Sequence, residues 1–126
     1  MISRNEILMG REKAAPLTGV MEANLEKLLR ALNKFRAVYG KPLVVSSGYR
    51  PAAINALVPG AAKKSNHMAC LAVDFADRDG KLAEYCLNNL KLLEEFGLWM
   101  EDPAFTKNWV HLQCVPPRSG NRVFKP

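Results

Sequence analysis

At 126 residues with 48% hydrophobic side chains, the chain has the length of one domain and enough apolar material for an ordinary core, so a single domain over residues 1–126 is expected to carry the function. The N-terminal stretch MISRNEILMGREKAAPL carries Arg4, Glu6, Arg11, Glu12 and Lys13, which excludes an uninterrupted apolar signal or membrane span there and predicts a product made in the cytoplasm. Three widely spaced cysteines, Cys70, Cys86 and Cys114, argue against a disulfide framework, and a formal charge of +6 favours an anionic partner although the basic residues are scattered.

Residues Asn24 to Tyr39 set Leu25, Leu28, Leu29, Leu32, Phe35 and Val38 at three- and four-residue spacings, the stripe of an amphipathic helix that Gly40 stops. Leu43 to Ser46 predicts a short strand after Pro42. It runs into the turn Ser47-Gly48-Tyr49-Arg50-Pro51, with a short helix at Ala52 to Leu57 and Val58-Pro59-Gly60 closing the unit. The polar, basic segment Ala61 to Asn66 precedes an alternating one, Cys70 to Phe75. Leu71, Val73 and Phe75 fall on one face and Cys70, Ala72 and Asp74 on the other, a strand with one bulky face and one small-residue face.

Asp77 to Gly80 makes a turn, and Leu82 to Phe96 repeats the helical stripe through Leu82, Tyr85, Cys86, Leu90, Leu93 and Phe96 before Gly97 ends it. Leu98 to Met100 and Trp109 to Cys114 predict two further strands, paired with each other, with Glu101 to Asn108 as their connection. The tail from Pro116 to Pro126 is irregular, with Val123-Phe124 expected to dock against the body. Helices interleaved with short strands, without regular alternation, predict an α+β fold: a small antiparallel sheet backed by helices, with one sheet face left for a site.

The chain holds two histidines, and each neighbours a strand suited to a metal pocket. His67 precedes the small-residue face that carries Asp74, and Cys70 and Ala72 are expected to leave room for an ion. In Trp109-Val110-His111-Leu112-Gln113, Val110 and Leu112 turn to the core while Trp109, His111 and Gln113 turn the other way. Catalytic zinc commonly takes three His or carboxylate ligands and keeps a fourth position for water, whose pKa it lowers to about 7 while polarising a scissile carbonyl. His67, Asp74 and His111 form such a set. Taken singly, each has a plainer explanation: a histidine near a strand is usually a satisfied polar residue, and Asp74 could cap the turn after it.

The segment from Ser65 to Asp74, Ser-Asn-His-Met-Ala-Cys-Leu-Ala-Val-Asp, resembles the S-x-H-x-x-G-x-A-x-D motif of the zinc D-Ala-D-Ala peptidases. That group includes carboxypeptidases, vancomycin-resistance dipeptidases and phage endolysins, and shares its fold with the hedgehog signalling domain. Ser46-Ser47-Gly48-Tyr49-Arg50-Pro51, followed by Asn55, is similar to the family's upstream S-G-Y-R segment, and Trp109-Val110-His111 to its W-x-H strand. Three elements in the expected order, over roughly 43–124, carry the resemblance.

The resemblance implies that His67, Asp74 and His111 ligate zinc, and that Arg50 binds the substrate's carbonyl or carboxylate, for which a planar, permanently charged fork of donors is suited. Ser65 either supports His67, contacts substrate or simply forms a turn. Tyr49 and Asn55 are expected to pack and to make local hydrogen bonds. Two positions depart from the pattern. The family glycine is Cys70, expected to be a packing residue, and a general-base glutamate shortly before the final histidine is missing, with Asn108 at one of its places. Glu101 and Asp102 are the nearest carboxylates, and Glu101 is favoured because it directly follows the predicted strand.

The implied activity is hydrolysis of D-amino-acid-containing stem peptides or cross-links of peptidoglycan by a monomeric enzyme, released at lysis in the manner of a phage or prophage endolysin. The alternative within the same fold is a non-catalytic, zinc-containing cell-wall-binding module. A nucleic-acid partner is not expected, because no interleaved basic and aromatic surface motif or recognition helix is present.

Overall fold

The computed structural model describes residues 1–126. Its first element is a helix that periodicity leaves unmarked, α1 (Arg4–Leu8). A capping box starts it: Glu6 N–H donates to the Ser3 hydroxyl, and Ser3 N–H donates back to the Glu6 carboxylate. Five residues give little intrinsic helicity. Burial of Ile7 and Leu8 in the common core holds it instead.

The long helix α2 (Gly19–Tyr39) begins five residues before the predicted stripe, because Thr18 accepts a hydrogen bond from Met21 N–H and caps it. Its first turn carries the exposed residues Val20 and Ala23, so no apolar pattern marks it. Leu25, Leu28, Leu32 and Phe35 face the core. Val38, placed on that stripe from sequence, is exposed: Tyr39 continues the stripe by stacking on Phe35, and Val38 lies about 100° around the axis from it.

Strand β1 (Val45–Ser47) is shorter and later than predicted, and α3 (Ala52–Asn55) is a single turn. A 3-10 helix at Asn66–Ala69 precedes β2 (Ala72–Ala76). The predicted strand start at Cys70 fails because Cys70 closes that 3-10 helix with a left-handed φ of 60°. The second predicted helix is two, α4 (Lys81–Asn88) and α5 (Leu90–Phe96), parted at Asn89, whose side-chain amide donates to the Tyr85 carbonyl. After them come β3 (Trp99–Glu101), a 3-10 turn at Pro103–Phe105, β4 (Trp109–Gln113) and β5 (Val123–Phe124).

The five strands form one sheet in the order β1-β2-β4-β3-β5. The pairs β1–β2, β2–β4 and β3–β4 are antiparallel as expected, whereas β5 joins the edge parallel to β3, so the sheet is not wholly antiparallel. Val73, Phe75, Met100, Val110 and Leu112 pack from one sheet face against the apolar stripe of α2 and against α1, α4 and α5. The opposite face carries none of these α-helices, and strand alternation delivers Asp74, Glu101 and His111 to it. The three cysteines are free and buried.

Candidate metal centre

Asp74 on β2 and His111 on β4 are direct register partners, so their side chains rise side by side from the face opposite the α-helices. His67 reaches the same point from the 3-10 helix Asn66–Ala69, which Ser65 caps by accepting a hydrogen bond from His67 N–H at 3.2 Å. His67 Nε2 lies 3.2 Å and His111 Nδ1 2.9 Å from the same Asp74 oxygen, and one ligand atom from each residue falls within 4.8 Å of the others. The sequence-predicted trio is thus brought together.

Both rings are oriented from behind. His67 Nδ1–H donates to the Gly48 carbonyl at 2.9 Å, and His111 Nε2–H donates to Gln113 Oε1 at 2.9 Å. The Gln113 amide nitrogen donates in turn to the Val115 carbonyl, which fixes which end of that amide faces the ring. With the far nitrogens committed as donors, the near ones offer lone pairs to the point that the Asp74 carboxylate also faces. Three acceptors converging in a buried place need a cation or a proton between them, and this donor set suits zinc. Gln113 and the Gly48 carbonyl are the supports that sequence reasoning missed. Only the strand alternation, which put Gln113 on the His111 side, hinted at either.

A proton can fill the same point. Burial alone would raise the Asp74 carboxyl, but hydrogen bonds from His111 and His67 outweigh it and hold the group well below the ordinary carboxylate range. Burial would likewise lower His111, but its bond to Asp74 prevails and raises it. In protein stripped of metal, the Asp74 contribution is present above 3.8 and lost as pH falls through the depressed value. That of His111 is complete below 6.5 and lost as pH rises through the elevated one. Their combined stabilisation therefore peaks between those two ordinary values. Zinc competes with protons, so its stabilising effect should run the other way and grow between about pH 6 and pH 8. Thermal unfolding of chelated and zinc-loaded protein across that range checks the opposite slopes.

Gly48 ties the site to the N-terminus. Tyr49 N–H donates to the Ile7 carbonyl at 2.8 Å, and a Cβ at position 48 would overlap that carbonyl oxygen and stand 2.9 Å from the Ile7 Cα. The glycine of the S-G-Y-R segment is thus required by the close approach of α1. Gly48→Ala should destabilise the fold by about 1–3 kcal/mol and loosen His67, seen as a lower unfolding midpoint together with weaker zinc binding. An unchanged midpoint would show that α1 can retreat freely.

Around the three residues lies a cleft of about 540 Å³. Arg50 and Ser65 line one side. The Arg50 N–H donates to the His67 carbonyl at 3.1 Å and its guanidinium reaches the Ser65 hydroxyl at 3.4 Å, while Arg50 Nε is buried without a partner. Burial pushes the guanidinium pKa below its ordinary value, with nearby Asp74 opposing. A half-buried cation with spare donors suits an anionic or carbonyl oxygen in the cleft. Ser65 both caps the His67 turn and meets Arg50. Tyr49 and Asn55 do local work as expected, donating to the carbonyls of Ala15 and Ala62.

Trp99 pairs with Gln113 and Met100 with Leu112; continuing that register by one residue sets Glu101 beside His111, and Glu101 lines the cleft. Burial pushes its carboxyl up, His111 pulling against this and Asp74 adding to it. Asp102 turns away and accepts from Ala104 N–H, capping the 3-10 turn. Asn108 is a left-handed turn residue with φ 72°, its carbonyl accepting from Asp77 N–H. Cys70 does not make room for an ion: its side chain lies in the core, its thiol pushed up to about 11 by burial. Ala72 is on the Asp74 face but pairs with Gln113.

A family model described as peptidase M15 matches residues 2–113, a span that contains Gly48, Arg50, His67, Asp74, Glu101 and His111. Neither a curated protein nor a solved structure matches the chain.

Proposed function

Since the chain belongs to the peptidase M15 family of zinc D-Ala-D-Ala peptidases, we propose that it hydrolyses D-Ala-containing stem peptides or cross-links of bacterial peptidoglycan. His67, Asp74 and His111 are its metal ligands in this reading. The observation that carries it is the convergence of two oriented imidazoles and one carboxylate on a single point beside a cleft.

Zinc held by these residues supplies a Lewis acid that polarises a carbonyl and makes water acidic enough to ionise near neutral pH. Arg50 anchors the carboxylate or carbonyl of the substrate, with Ser65 bracing the guanidinium and the turn that carries His67. Glu101, half-buried on the same sheet face, accepts a proton from the attacking water and returns it to the leaving amine. Its raised pKa suits the first half of that exchange, because a carboxylate of higher pKa is the stronger base towards the water proton. The formal charge of +6 supports action on an anionic wall, reached from the cytoplasm as an endolysin reaches it.

Purified peptidoglycan treated with the protein, followed by mass spectrometry of the soluble fragments, tests this. Free D-alanine or cut stem peptides should appear, cease with a chelator and return with added zinc. A zinc-loaded protein that binds walls but releases no fragment would instead be a binding module.

A further inference from the structure

Residues 114–126 lie beyond the span of the family match, yet they complete the cleft. The returning chain docks on the free edge of β3, where Met100 pairs with Val123 and Glu101 with Phe124. Met100 N–H donates to the Arg122 carbonyl at 2.9 Å, and Asp102 N–H to the Phe124 carbonyl at 2.7 Å. Arg122 adds a hydrogen bond to the Leu98 carbonyl at 2.8 Å and sets its guanidinium 4.4 Å from the Trp99 ring centroid. Such attachments make this strand part of the body rather than a fraying tail.

Its register places Phe124 at the end of a row that crosses the sheet through Asp74, His111 and Glu101. The phenyl ring meets the His111 imidazole edge to face, at 6.0 Å between centroids and 85° between planes, and lines the cleft. Arg50 lies at the opposite end, after β1. The ligand trio is therefore flanked by a cation on one side and by an apolar aromatic wall on the other. A peptide whose anionic end is held at Arg50 must lead its other side past Phe124. There an anionic side chain would lose hydration and face Glu101, the register partner of Phe124, while an apolar one would be sheltered.

We propose that Phe124 is a specificity-determining residue: β5 holds its ring as the wall opposite Arg50, and the site selects peptides with an uncharged, apolar residue on the side of the scissile bond away from the Arg50-bound end. This rests on the peptidase reading for the direction in which the peptide lies.

Binding of uncleavable analogues of acetyl-D-Leu-D-Ala and acetyl-D-Asp-D-Ala, in which a CH2 group replaces the scissile N–H, to the zinc-loaded full chain, measured by calorimetry, tests it. The wild type should prefer the leucyl peptide by roughly tenfold. Phe124→Ala should erase most of that preference and Phe124→Leu keep most of it, with zinc affinity unchanged. Amide exchange at Asp102 shows whether β5 stays docked in each variant. A docked Phe124→Ala protein with the wild-type preference, or a wild type with no preference or no binding, overturns the proposal. Release of fragments from walls separates the two readings. If the wild type cuts walls but selectivity ignores Phe124, only this inference fails; if selectivity follows Phe124 and nothing is cut, only the peptidase reading fails.

Discussion

Asp74→Asn is expected to lower zinc affinity by more than the ~10–100-fold that losing a supporting residue behind a ligand costs, and to remove peptidase activity with it. The substitution keeps shape and size but removes the carboxylate charge that contacts both imidazoles. It also breaks the symmetry of the point they share. An amide presents either its oxygen or its N–H donors there, and the donors would satisfy the lone pairs of His67 Nε2 and His111 Nδ1 directly, capturing the rings that should hold the ion. Zinc titration monitored by competition with a chromogenic chelator gives the affinity, and unfolding of the chelated proteins checks that the fold survives. Near-wild-type zinc binding by Asp74→Asn would remove Asp74 from the ligand set.

Glu101→Gln is expected to lower turnover by about 10²–10⁴-fold, the usual contribution of a positioned acid–base group, while leaving zinc affinity within a few-fold of wild type. Glutamine preserves the side chain's length and its place on β3 but can no longer take up a proton. Asp102→Asn is the matched control. Asp102 faces the Pro103–Phe105 turn and accepts from Ala104 N–H, which an asparagine oxygen can also do, so this variant should work at close to the wild-type rate. Reversal of the two results would transfer the base to Asp102 and make the β3–β4 register irrelevant to catalysis.

The candidate trio was legible because two histidines are few, and because the period-two alternation of β2 and β4 turns Asp74 and His111 away from Val73, Phe75, Val110 and Leu112. What stayed hidden depends on contacts between distant segments. The five residues of α1 are too few to show a period, and they are helical because Ile7 and Leu8 find a core built by residues far along the chain. The break at Asn89 leaves the apolar spacing through Leu82, Cys86 and Leu93 almost intact, so periodicity reads one helix where there are two. Val123-Phe124 was expected to dock, but its parallel pairing depends on which edge of β3 is left open. The Gly48 carbonyl has no side chain to announce it, and its bond to His67 spans 19 positions.

The chain of contacts from Ile7 through Gly48 to His67 also makes the first helix and the ion thermodynamic partners. Whatever free energy the seated helix lends to the correct orientation of the imidazole, a bound ion must return to the seating of the helix. The extreme N-terminus, remote from the chemistry in sequence, is thereby among the segments that metal loading should most tighten against digestion and exchange. Loss of its first turns would be felt as a weaker grip on the metal as well as a gap in the core that Ile7 and Leu8 fill.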